Sequence, residues 1–163
     1  FGGDLGHRFD TTSQQSAREV DLCPDDDVIW RTVPGVTNTV GNLALHVSGN
    51  LRHYVGAILG GTGYVRDRPL EFSRRTGTRA EVRAEIEDAM GVVSRVLPDL
   101  SVEVLERVYP DAALGVALPT HLFLLHLATH LAHHLGQAGY LRRALTGDAT
   151  SSGPISMKEL AAG

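Results

Sequence analysis

THLFLLHLATHLAHHLGQAGYLRRALT, residues 120–146, is the stretch that decides the fold, and it reads as one long helix. His126, His130, His133 and His134 place four of the chain's eight histidines within nine residues of it. An α-helix advances about 100° per residue, so His130 and His134 project about 40° apart, one turn above the other on the same face. Two imidazoles so placed can grip one metal ion. The alternative is a helix whose histidines cap, hydrogen-bond locally or face water. Residues 112–141 contain no Asp, Glu, Lys or Arg, which by length alone could pass for a membrane span. Pro119, Thr120 and five histidines oppose that reading, because unpaired polar side chains are costly in hydrocarbon. No membrane partner is expected.

Working back from this helix, Thr78 and Glu81 make a capping box for a helix on which Val82, Ile86, Ala89, Met90, Val93 and Leu97 keep helical spacing up to Pro98. Thr37, Asn38 and Thr39 offer N-caps for another, running to about Leu59 and stopped by Gly60, Gly61 and Gly63. Val40, Leu43, Val47, Leu51, Tyr54 and Ile58 give it a core-facing stripe. Thr39, Asn42, His46, Asn50 and His53 form a second, polar stripe about 100° away. His46 sits on the border of the two, as a cleft-lining ligand would.

Between these helices, GGTGYVRDRPLEFSRRTG (60–77) is an irregular connection that could line or cover a cleft. Its Glu71 is expected to be an exposed loop acid, with general base or fourth ligand as the alternative. Pro24 and Asp25 to Asp27 start a short helix ending at Trp30, and a further short helix is expected at Val102–Leu105. Thr120 is expected to cap the histidine-bearing helix. Residues 1–20 are glycine-rich and polar, with Phe9, Ala17 and Val20 too sparse for a firm stripe, so the first helix is expected to be weak or atypical. The whole reads as an all-α, up-and-down four-helix bundle with a long crossover connection, one domain over 1–146 followed by a loosely docked polar tail, 147–163.

Composition narrows the function. A chain of 163 residues with 42% apolar content supports one cored domain. A net charge of −4 and 6% aromatic residues provide neither a basic face nor stacking platforms for nucleic acid, which is not an expected partner. Cys23 is the single cysteine, so a disulfide scaffold is excluded and any metal site must use histidine and carboxylate. No basic region followed by an apolar run opens the sequence, and a reducing cytoplasm is the expected location.

Histidine density, the lack of competing charge and the separate His46 together favour a site of His46, His130 and His134. Three neutral imidazoles leave a divalent ion its full charge and at least one open position, the arrangement of a catalytic site. Gln137, one turn beyond His133 and His134, is either a hydrogen-bonding neighbour of the ligands or a solvated glutamine. His126 and His133 are expected to be neighbours of the site and not ligands. His53 is a poorer candidate than His46. His7 and His121 are expected to be exposed.

HLATHLAHHLGQAGYLRR (126–143) resembles the last bundle helix of the DinB-like superfamily, the damage-inducible and thiol-transferase four-helix proteins. PGVTNTVGNLALHVSGNLRHYVGAIL (34–59) is similar to that family's second helix, whose histidine is its first metal ligand. RDRPLEF (66–72) resembles the segment that follows this helix in one branch. The likeness spans about residues 22–146; residues 1–21 do not resemble the family's long first helix, which leaves a wall that a second chain could cover. Position by position, the resemblance implies a metal triad of His46, His130 and His134, with Gln137 completing HLGQ.

It further implies a divalent transition metal, with Zn first and Ni, Fe or Mn as options. The implied function is a transferase or isomerase using a low-molecular-weight thiol of the mycothiol or bacillithiol type on a small electrophile, in a homodimer. Arginines in the 66–79 stretch are candidates to hold the carboxylates of such a thiol. A metal-dependent hydrolase and a non-enzymatic, stress-related metalloprotein acting as a dimer are the alternatives. HLAHH lacks the glutamate of a zinc-protease helix, and Cys23 lies outside the matched ligands.

Overall fold

The computed structural model describes residues 2–111, 115–153 and 156–158. The chain is all-α. Its helices are α1 (Gly2–Asp21), α2 (Val40–Asn50, continuing as a π-helix over Leu51–Leu59), α3 (Arg68–Ser73), α4 (Arg79–Val96), α5 (Val102–Glu106) and α6 (Thr120–Thr146). Short 3-10 turns lie at Val28–Trp30 and Leu97–Asp99. Among the described residues the only β-pairing is one isolated bridge, Val108 to Pro119, within the crossover before α6. The long helices form the bundle, α1 and α2 each packing on both α4 and α6.

The first helix departs from the sequence reading. Gly2–Asp21 is a full 20-residue helix that buries Leu5, Phe9, Thr12, Ser13, Ser16, Ala17 and Val20, a three-to-four-residue recurrence that defines a core face. Three of these side chains carry hydroxyls, which is why the apolar pattern looks sparse. Ser16 Oγ donates to the Thr12 carbonyl at 3.1 Å, so a small polar side chain can be buried with its hydrogen bond satisfied. The wall that a second chain could cover is thus supplied by α1 of the chain itself.

The expected capping box forms at Thr78 with Glu81, and of the three N-cap candidates Thr39 caps α2, in a second box with Asn42. Along α2, Val40, Leu43, Val47 and Leu51 are buried as the stripe requires, but the next buried position is Val55 and not Tyr54. A π-helix bonds i to i+5 and carries more residues per turn, so a stripe counted at α-helical pitch slips by one residue there. Thr120 does not cap α6. It is the helix's first residue, and its Oγ1 donates across the crossover to the Arg107 carbonyl at 3.1 Å.

The core falls into two apolar clusters. One gathers Phe9, Val47, Leu51, Val93, Phe123 and Leu131; the other gathers Val20, Leu43, Ala44, Ile86, Ala138 and Leu141. On α2 the two clusters meet between Ala44 and Val47, and on α6 between Leu131 and Ala138, so the polar residues at those levels form a seam across the bundle. His46 and His134 lie within these intervals, and His130 adjoins Leu131.

The tail after Gly147 is tied down at its start. Arg142 is fully buried; its Nε donates to Glu19 Oε2 at 2.6 Å, and its terminal nitrogens donate to the carbonyls of Asp148 and Thr150. The Ser152 amide donates to Glu19 Oε1 at 3.0 Å. Of the expected polar tail, residues 154–155 and 159–163 lie outside the described residues, as do Phe1 and residues 112–114 of the crossover.

Candidate metal centre

His46 on α2 and His130 and His134 on α6 come together with one ring nitrogen each, all within 4.8 Å of one another, a group that could hold a metal ion. His46 Nε2 and His130 Nε2 are 3.1 Å apart, close to the separation of about 3.3 Å that two nitrogens have on a tetrahedral zinc with bonds of about 2.0–2.1 Å. His46 is buried, while His130 and His134 are half-buried.

The outer nitrogens determine what the inner ones can do. His46 Nδ1 lies 2.9 Å from Glu71 Oε2. A carboxylate only accepts, so Nδ1 carries the proton, and in the neutral ring Nε2 keeps its lone pair. His134 Nδ1 donates in the same way to Gln137 Oε1 at 2.7 Å, and its Nε2 is left buried with no partner among the described residues. An orphaned buried imidazole nitrogen with a lone pair, facing two other imidazoles, fits the donor set of a divalent metal. Burial, with the neighbouring histidines adding to it, pushes the His130 pKa down to about 4. Burial likewise holds His134 below its ordinary value against the opposing Gln137 bond. Both are therefore neutral, as a ligand must be.

Glu71 corrects the sequence reading, which placed it on the surface. It is 6% exposed and sits on α3, a helix inside the stretch expected to be irregular; the Asp67 side chain accepts from Leu70 N to cap it, and Pro69 lies in its first turn. Asn42, on the polar stripe of α2, ties α3 in place by donating to the carbonyls of Glu71 and Arg74 at 2.8 and 3.0 Å. Arg66 donates to both Glu71 oxygens at 2.7 Å. Burial alone would raise the Glu71 pKa, but the hydrogen bonds from Arg66 and His46 bring it below the ordinary value, so it stays a carboxylate. Phe72 completes the wall, with its ring centroid 4.7 Å from that of His46.

The other candidates fall around this centre. His126 is exposed and stacked on His130 at 5.9 Å, and His133 is exposed and edge-on to His134 at 5.2 Å. His53 packs on Tyr54 with its Nδ1 buried and unpartnered among the described residues. His7 and His121 are half-buried and not fully exposed; His121 bonds the Leu105 carbonyl. Arg66, Arg74, Arg75 and Arg79 are engaged within the fold, which removes most of the arginines expected to hold a ligand. Arg68 alone of that group has no internal hydrogen bond described, and its guanidinium lies over the Phe72 ring at 5.0 Å. Cys23 is buried in the second cluster, and burial pushes its thiol up to about 11, so it stays protonated.

Three imidazoles from two facing helices, one backed by a carboxylate and one by an amide, give this helical bundle a group that could hold a metal ion. The chain belongs to the DinB superfamily, whose family model matches residues 8–138, from within α1 into α6. No curated protein matches it. No helix among the described residues is long and apolar enough to cross a membrane.

Proposed function

We propose that His46, His130 and His134 hold a divalent transition metal, Zn²⁺ first among the options, and that the chain activates a low-molecular-weight thiol for transfer to a small electrophile or for isomerisation of one. The observation that carries the reading is the orphaned His134 Nε2, in a cluster where the outer nitrogens of His46 and His134 already have partners. A bound divalent ion would supply the positive charge that deprotonates a thiol whose free pKa is about 8.5, and three imidazoles leave a position open for it. The chain's own residues do the rest. Glu71 and Gln137 hold the imidazoles in the required tautomer, Phe72 covers one side of His46, and the exposed Arg68 beside Phe72 suits an anionic group on the thiol or its acceptor. A hydrolase is less well served, since Glu71, the carboxylate at the site, is occupied by Arg66 and His46 and is not free to act as a base.

Cobalt-substituted protein tests this reading. Addition of mycothiol or bacillithiol is expected to produce an intense near-ultraviolet sulfur-to-cobalt charge-transfer band that is absent in the His130→Ala variant. Cobalt-loaded protein that responds to neither thiol would refute thiol activation and leave a metalloprotein without this chemistry.

A further inference from the structure

Asn50 stands one helical turn after His46 on α2, and nothing in the sequence marked it beyond its place on the polar stripe. It is 5% exposed, and its side-chain nitrogen Nδ2 lies 3.3 Å from His46 Nε2. The direction of that bond follows from the other side of the ring. Glu71 requires the His46 proton on Nδ1, so Nε2 is an acceptor, and the Asn50 atom facing it must be the amide NH2, which only donates. Asn50 therefore points a buried donor at the very lone pair assigned to the metal.

One lone pair cannot serve both. When His46 Nε2 is committed to an ion, the Asn50 N–H loses the one acceptor described for it, and a buried donor without a partner is strongly disfavoured. No other acceptor is described for it: the Glu71 carboxylate accepts three hydrogen bonds from Arg66 and His46, and His130 and His134 turn their nitrogens to the same centre. An acceptor brought by a ligand at the position the three imidazoles leave open would replace it.

Resting on the metal reading above, we infer that Asn50 is a positioning residue that donates through Nδ2 to an anionic ligand at the open side of the triad. The site thereby favours ligands that bring a negative, hydrogen-bond-accepting atom, such as a thiolate, a carboxylate or a small inorganic anion. No bond is made or broken in this role.

Azide binding to the cobalt-loaded full chain, followed by its charge-transfer band, tests the inference. Asn50→Leu, close in volume and without the donor, is expected to keep cobalt affinity within about threefold of wild type and to weaken azide binding about tenfold or more, the value of one charge-assisted hydrogen bond. Asn50→Asp keeps the shape, removes the donor and adds a like charge; it is expected to weaken azide at least as much, and it carries the test if the leucine variant does not fold. Normal cobalt uptake with unchanged azide affinity in a folded variant would overturn the inference alone. Loss of cobalt affinity in Asn50→Leu would overturn it too, by making Asn50 a ligand. A wild-type chain that takes up no cobalt would overturn the metal reading and this inference with it.

Discussion

Replacing Arg142 with methionine is expected to lower the unfolding free energy at neutral pH by about 3–5 kcal/mol, the cost of stranding the other half of a buried ion pair. Arg142 and Glu19 are 0% and 1% exposed as side chains, so water cannot replace the lost partner. The same guanidinium accounts for two of the tail's contacts, to the carbonyls of Asp148 and Thr150, and the tail should become sensitive to protease in the variant. The double variant Glu19→Leu, Arg142→Met should recover much of the loss, because apolar replacement of a whole buried pair is often neutral.

The pH dependence has a definite sign. Burial alone would raise the Glu19 pKa, but the Arg142 and Ser152 hydrogen bonds bring it below the ordinary carboxylate value. In the wild type this contribution is complete above that value and is lost as pH falls through the folded pKa. In Arg142→Met only the burial remains, the Glu19 pKa rises, and protonation relieves the variant. The gap between the two proteins in chemical denaturation should therefore narrow on going from about pH 7 to about pH 4. A difference below about 1 kcal/mol at neutral pH, the range of an exposed pair, would show that the pair is not buried in solution.

Gly49→Ala is expected to damage the site without touching any of the three histidines. A Cβ at residue 49 would overlap the Glu71 carboxylate, with Cδ at 2.9 Å and Arg66 Nε at 3.5 Å. The carboxylate cannot step aside without breaking its bonds to both Arg66 and His46. Overpacking of this kind costs about 1–3 kcal/mol, and losing the carboxylate behind a ligating histidine lowers metal affinity about 10–100-fold. Gly136→Ala is the control. Its Cβ meets nothing within 4 Å, and alanine in a helix is favoured by about 0.5–1 kcal/mol, so metal affinity should hold and stability should not fall. Equal metal affinity in both variants, measured by competition with a chromophoric chelator, would remove Glu71 from the site.

What could be read in the sequence, and what could not, divides along local and tertiary lines. His130 and His134 share a face by helical geometry alone, and His46 was marked by lying where the core and polar stripes of α2 meet. The Thr78–Glu81 capping box was legible for the same reason, since its partners are three residues apart, whereas Thr39 was only one of three N-cap candidates for α2 and its box with Asn42 was not read. Glu71 was misplaced because its burial depends on Asn42 reaching 29 residues ahead to the Glu71 carbonyl, although Asp67 followed by Pro69 was an available sign of a helix start. The first helix was hidden by Thr12, Ser13 and Ser16 standing where apolar residues usually mark a core face. Arg142 finds Glu19 across 123 residues, and nothing local in α6 distinguishes it from the less buried Arg143 beside it.

Whether three imidazoles that meet in the fold also bind an ion is decided by the metal content of the full chain after exposure to zinc and removal of the excess. Wild-type protein should retain about one equivalent, as a single three-histidine site would, and His46→Ala, His130→Ala and His134→Ala should each retain almost none while keeping the helical circular-dichroism signal. Wild-type protein with no stoichiometric transition metal, or uptake unchanged in all three variants, would contradict the assignment of this centre.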